Sequence, residues 1–231
     1  MEAPISRGTV VDALVDRVRA DVLTGRYPAG SLLPPERELA SAYQVTRTTL
    51  KHALVRLVEV GLLETKHGVG TRVRDFERSA SIDLLPILAA LAGPDWLREI
   101  FEARREIGAL IAERAAGHAS AQDRSRLREL LAERGRASGV DAVQLAECEV
   151  HRVLAAASGN RVYGLVANAL LNAYLEVRQL FTEPFVDAGA AADRLAPVVR
   201  AVCAGDATGA RRAADAYLRE TQLLMLGGGA P

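Results

Sequence analysis

Residues Gln44 to Leu54, QVTRTTLKHAL, set Thr46, Thr48 and Thr49 around Arg47, with Lys51 one turn further on, just before an apolar pattern of helical spacing. The first turn of a helix has backbone N–H groups without intrahelical partners and the positive end of the helix dipole, and together these attract anions. Thr46 is placed to cap such a helix with its hydroxyl. The remaining hydroxyls can donate to phosphate oxygens, while the planar guanidinium of Arg47 can bond both O6 and N7 of a guanine. Taken alone, the stretch fits equally well a capped surface helix with a solvated arginine. A second group lies at Lys66, His67 and Gly68. On a hairpin tip these can enter a minor groove, with the bare Gly68 allowing close approach of backbone to DNA; a solvated turn histidine is the alternative. A third group is Glu147 and His151, four residues apart and so on one helical face. They could act as acid and base, hold part of a metal ion's ligand set, or form a satisfied buried pair.

The elements that carry these residues can be read from periodicity. Val10 to Thr24 has Leu14, Val15, Val18 and Val22 at helical spacing and is stopped by Gly25. RYPAGSLLPP is a turn-rich connection, with Pro35 suited to the first turn of a helix over Glu36 to Tyr43. A third helix, from Arg47 to Val60, is expected to bury Leu50, Ala53, Leu54, Leu57 and Val58, leaving Arg47, Thr48 and Lys51 on the opposite face. LLETKHGVGTRV then reads as a hairpin. Three helices and a hairpin make a winged helix-turn-helix, whose third helix enters the major groove. Beyond the polar stretch RDFERSASI, helices are predicted over Ile82 to Leu91, Asp95 to Ala116, Ala121 to Ala137, Asp141 to Ala157, Arg161 to Phe181, Ala190 to Cys203 and Asp206 to Leu226. Short connections and no strand pattern imply an antiparallel bundle.

Composition narrows the function classes. The chain has 231 residues, 49% hydrophobic and only 4% aromatic, with no formal net charge. The charges are unevenly spread: Thr46 to Arg74 holds six basic residues (Arg47, Lys51, Arg56, Lys66, Arg72, Arg74) against two acidic ones (Glu59, Glu64), an excess of four. No apolar run approaches the ~20 residues that span a bilayer, and MEAPISRGTV lacks the order of a signal peptide, so a cytoplasmic protein is expected. Cys148 and Cys203 sit within helical patterns as reduced thiols. No nucleophile elbow, phosphate loop or complete metal set accompanies Glu147 and His151, which argues against an enzyme.

Leu14 to Val73 resembles the DNA-binding domain of the GntR family of bacterial regulators through GRYPAGSLLPPERELA, VTRTTL, the Ala53-Leu54, Leu57 and Gly61-Leu62-Leu63 pattern, and HGVGTRV. The resemblance implies that Arg37, Thr46, Arg47, Thr48, Lys51, His67 and Gly68 fall on DNA-contacting positions. Two departures stand out. Lys51 replaces the usual arginine, so a bidentate contact becomes a point charge. Pro35 replaces a serine, so the second helix loses its hydroxyl cap.

Leu84 to Met225 resembles the helical ligand-binding domain of the FadR subgroup, through FEARREIGALIAERAA, ECEVHRVLAAASGNRVYGLV and VCAGDATGARRAADAYL. In the subgroup's metal-binding members one acidic residue and three histidines hold a divalent ion that helps bind a small carboxylate. Glu147 and His151 match the first two ligands, but Leu195 and Tyr217 stand where the later histidines align. The acyl-CoA-binding branch lacks that ion, and DFERSASIDLLPIL, the ASGN-VYGL pattern of Ala157 to Leu165, Tyr174, Phe181 and Tyr217 resemble it. Arg104 matches a position that meets the ligand's polar end in both branches; Thr221 and Met225 replace a serine and a tryptophan there.

The expectation is therefore a mainly α protein with a winged helix-turn-helix over 1–74, a linker over 75–81, a bundle of about seven helices over 82–226 and a flexible tail over 227–231. It would regulate lipid metabolism as a homodimer on a palindromic operator, without a cofactor, its DNA affinity set by long-chain acyl-CoA or fatty acid at Arg104, Glu147, His151, Tyr174, Phe181, Tyr217 and Thr221. The alternative is a regulator that senses a small carboxylate through a bound divalent metal.

Overall fold

The computed structural model describes residues 10–79, 82–91 and 93–227. The expectations for the first nine residues, for linker positions 80 and 81 and for the tail beyond Gly227 lie outside the described residues. Cα packing divides the chain into two compact units, Met1–Leu84 and Leu85–Pro231.

In the first unit, α1 (Val10–Leu23) turns Leu14, Val15, Val18 and Val22 inward. They meet the buried face of α3 (Arg47–Glu59), formed by Leu50, Ala53, Leu54 and Leu57. Val58, expected in that face, is half-buried at its edge. Between them α2 (Glu36–Ala42) starts after Pro35, which makes no side-chain cap. Its end is fastened to α1 by the Tyr43 hydroxyl, which donates to Asp21 at 2.6 Å. The turn into α3 passes through Gln44 at φ +57, a left-handed conformation in a non-glycine residue. Strands β1 (Leu63–Lys66) and β2 (Gly70–Val73) pair antiparallel in the register Leu63↔Val73 to Lys66↔Gly70. The connection before α2 is more ordered than a turn-rich loop. Gly30 and Leu33 donate backbone N–H groups to Val73 and Thr71, so the connection lines the free edge of β2. The expected polar linker likewise contains a single helical turn, α4 (Phe76–Ser79), whose Ser79 hydroxyl reaches the Asp75 and Gly61 carbonyls.

The second unit is the helical bundle: α5 (Leu85–Leu91), α6 (Gly93–His118), α7 (Ala121–Gly135), α8 (Val140–Ala157), α9 (Arg161–Val177), α10 (Ala188–Ala204) and α11 (Ala207–Met225). Side-chain caps fix the starts of four of them. Ser120 and Asp123 form a capping box on α7, and Asn160, Asp187 and Asp206 cap α9, α10 and α11. α6 packs on α11 and α8, α5 on α9, and α7 on α8 and α10. Several boundaries differ from the periodicity reading by a few residues, among them those of α6 and α9. α6 begins at Gly93, two residues before Asp95. α9 stops at Val177 instead of Phe181 and gives way to 3-10 turns at Arg178–Leu180 and Glu183–Phe185. The Gln144 side-chain amide donates to the Arg178 and Phe181 carbonyls, which holds these turns in place of a further helical turn.

Candidate nucleic-acid interface and bundle site

At the start of α3 the Thr46 hydroxyl accepts from the Thr49 N–H at 3.1 Å and lies 2.8 Å from the Thr49 hydroxyl. This is the cap expected from sequence, and it leaves Arg47, Thr48 and Lys51 exposed in a row on the outer face. Arg47 is 71% exposed, and its guanidinium stands 3.9 Å from Glu36, a surface contact of little energetic weight. Arg37 is exposed on the neighbouring α2. In the wing, Lys66 ends β1 opposite Gly70, and His67 and Gly68 lie in the turn that follows, with Gly68 at φ +76 where a side chain would be strained. Of the six basic residues counted from Thr46 to Arg74, Arg56 is exposed and pairs with Asp12 of α1 at the surface.

In the bundle, α8 presents Glu147 and His151 one turn apart, and α6 presents Arg104. The structure brings all three together: Arg104 donates to Glu147 Oε1 at 3.3 Å, and His151 Nε2 stands 3.5 Å from the same oxygen, too far for a hydrogen bond. Sequence reading missed the fourth member. Arg134, at the end of α7, is 1% exposed and donates to Glu147 Oε2 at 2.5 Å. Its signal was positional, because Leu127, Leu130 and Arg134 continue one buried stripe of α7. Burial opposes ionisation of Glu147, but the contact with His151 and the charges of Arg134 and Arg104 outweigh it and hold the carboxyl below the usual range. His151 is pushed down, chiefly by burial, so it is neutral near pH 7. Burial likewise pushes the Cys148 thiol up to about 12, which leaves it protonated and inert.

The other candidates separate. Tyr217 lies with its ring 6.3 Å from His151, its hydroxyl buried and unbonded. Tyr174 and Phe181 stack at 6.5 Å and join Phe101 and Phe185 in a second core cluster. Thr221 donates its hydroxyl to the Tyr217 and Leu218 carbonyls of its own helix, which leaves no proton for a ligand. A cavity between α6, α8, α9 and α11 is lined by Arg104 and His151 together with Ile107, Leu154, Leu170, Leu171 and Leu218. Its volume is about 40 Å³.

A divalent ion does not fit this donor set. Both Glu147 oxygens are engaged by guanidinium groups, whose charges repel a cation, and Leu195 is fully buried in the hydrophobic core. Among the described residues no three His, Cys, Asp or Glu side chains converge.

An exposed, capped helix with a basic wing, followed by a helical bundle with a small cavity, defines a winged-helix DNA-binding regulator. Comparison with known proteins gives the particular family. Residues 10–73 match the bacterial regulatory proteins of the gntR family, and residues 99–220 match the FCD domain. An uncharacterised HTH-type transcriptional regulator of Mycobacterium tuberculosis, Rv0494, is 34% identical over 96% of this chain and 92% of its own length. The fatty acid metabolism regulator protein of Pectobacterium carotovorum is 34% identical over 71% of this chain and 69% of its own. Among solved structures, Lar, which controls the expression of the Listeria monocytogenes agr system, aligns with a TM-score of 0.64 at 15% identity over 94% of this chain and 96% of that one, a likeness of fold. The chain belongs to the GntR family, as a transcription regulator with a C-terminal FCD domain.

Proposed function

We propose that the protein is a cytoplasmic, homodimeric regulator of lipid metabolism that binds a palindromic operator and releases it when a long-chain acyl-CoA or fatty acid enters the bundle. Arg47 reads a guanine, Thr46 and Thr48 set the register of α3 on the phosphates, and Arg37, Lys51, His67 and Gly68 complete each half-site. One short helix reads too few bases for specificity in a genome, and two-fold pairing doubles the site.

The observation that carries the effector reading is the cavity, aliphatic along most of its wall and ended by Arg104 and His151. That arrangement suits an amphiphile, whose chain gains about 0.8 kcal/mol per buried CH₂. Its size also supplies a mechanism. An acyl chain needs far more room than about 40 Å³, so its entry selects a bundle with the helices further apart. A ligand that binds one of two shapes better shifts the population between them. The name of the Pectobacterium relative, a fatty acid metabolism regulator, supports the same reading. The engagement of Glu147 by two arginines disfavours the rival, a small carboxylate held by a metal ion.

Operator release measured by fluorescence anisotropy tests the proposal. Long-chain acyl compounds are expected to release the DNA, shorter chains progressively less, and chelators to change nothing. Stoichiometric Zn²⁺ or Ni²⁺ in untagged protein, with release by a small carboxylate alone, would favour the rival.

A further inference from the structure

The tip of the wing carries an apolar side chain to which the DNA contacts proposed above give no part. Val69 follows Gly68 in the turn after β1 and is 57% exposed, whereas Leu63, Thr71 and Val73 of the same hairpin are buried. Its backbone N–H donates to the Lys66 carbonyl at 3.1 Å and closes the turn. Glycines stand on both sides of it, Gly68 at φ +76 and Gly70 at φ +119, both in the left-handed region. A methyl group added at Gly68 would meet nothing within 4 Å, so the backbone conformation, not crowding inside the fold, calls for glycine there. With two bare neighbours Val69 is the side chain that the tip presents. It is branched at Cβ and stiff, so it loses little freedom when a surface closes on it. Leu32, 48% exposed, approaches Gly70 and lines one groove along the wing with Val69, Pro34 and Pro35. Lys66 and His67 line the same groove, and the one carboxylate there, Glu36, stands 3.9 Å from Arg47. The apolar tip is thus set among cationic and hydrogen-bonding groups suited to a polyanion.

We propose that Val69 is a specificity-determining residue, which lies in the minor groove and makes the wing reject a G·C pair at the position it covers. The assignment rests on the wing entering that groove. Every base pair shows acceptors there, to which His67 can donate, and G·C alone adds the N2 amino group of guanine. Against a valine methyl that amino group is buried without a partner, which costs free energy, and its bulk holds the side chain off the floor. An A·T pair has no such group, and in A·T-rich sequence a narrow groove brings the apolar sugar walls onto the valine. Selection of this kind works by exclusion, and it adds to the guanine contact of Arg47 in the major groove.

Full-length protein tests this on an operator recovered by selection from random duplexes, with A·T, G·C and inosine·C placed in turn at each pair flanking the selected core. Inosine·C has the minor-groove edge of A·T and the major-groove edge of G·C, so it separates the two grooves. Competition anisotropy is expected to show a flanking position in each half-site where G·C binds about fivefold or more weakly than A·T, with inosine·C equal to A·T. Val69→Thr keeps the shape and offers the amino group a hydroxyl, and it should reduce the penalty to less than about twofold. The position is exposed at a loop tip, so the variant folds as the parent does. A penalty that persists in Val69→Thr, that inosine·C shares with G·C, or that appears at no flanking position would overturn the assignment. The wing stays on the DNA in each of those cases provided Lys66→Ala or Arg72→Ala flattens the salt dependence of binding. Unchanged salt dependence in both variants would overturn the wing contact and this assignment together.

Discussion

At the scale of single residues, Arg47 and Thr48 are neighbours on the exposed start of α3 with different work to do. A guanidinium bidentate to guanine is worth about 1–3 kcal/mol of discrimination against a wrong base, whereas a hydroxyl on a phosphate carries no sequence information. Arg47→Ala is therefore expected to lose operator affinity with little loss of nonspecific binding, and Thr48→Ala to weaken both. Competition titrations against random-sequence DNA check this, and an unchanged specific-to-nonspecific ratio in Arg47→Ala would remove the guanine contact. The Thr46 cap was legible in the sequence because capping follows from local chain order. Arg134 was not. An arginine at the end of a surface-type helix reads as solvated, and the side chain that draws it inward, Glu147, lies on the next helix across a connection. The same distance in sequence hid the Gln144 bonds, while the spacing of Glu147 and His151, confined to one helix, was plain.

At the scale of elements, periodicity located the helices because each buries one stripe, and it failed where side chains from elsewhere end a helix. The apolar pattern of α9 runs on through Phe181, but the backbone leaves the helix at Val177. The connection before α2 was misjudged for a related reason. Its hydrogen bonds run to β2 across the fold, and no local pattern encodes them. The wing itself carries a testable role. Lys66 is 66% exposed and only 3.7 Å from Glu64, a surface pair too weak to hold it from DNA, and Arg72 is exposed opposite Glu64 in the strand register. If both touch phosphates, Lys66→Ala or Arg72→Ala is expected to flatten the plot of log affinity against log salt by about 0.9 unit per lost contact in each half-site. Sequence preference should persist. Slopes equal to the wild type in both variants would place the wing away from the DNA.

At the scale of the whole molecule, a regulator requires two sites whose occupancies change each other, and the two units of this chain supply one candidate site apiece. Their compositions explain why the division was visible in the sequence: the basic excess ends near Arg74, and the alanine- and leucine-rich helices follow. The proposed coupling between the sites was not visible, because a shift between two packings of the bundle has no residue pattern to mark it. Linkage makes it measurable without knowing the path. If the effector lowers operator affinity by some factor, saturating operator must lower effector affinity by the same factor, typically about 5–150-fold for a coupling of about 1–3 kcal/mol. The sign follows from the proposed release: if effector entry lowers operator affinity, the operator favours the effector-free protein. Effector titrations with and without a saturating operator duplex should therefore show weaker effector binding on DNA, by the ratio found when operator is titrated with and without effector. Scrambled duplex should leave effector affinity higher than the operator does. An effector that binds equally well to free and operator-bound protein would show that the bundle senses nothing on behalf of the DNA-binding unit, however tightly it holds its ligand.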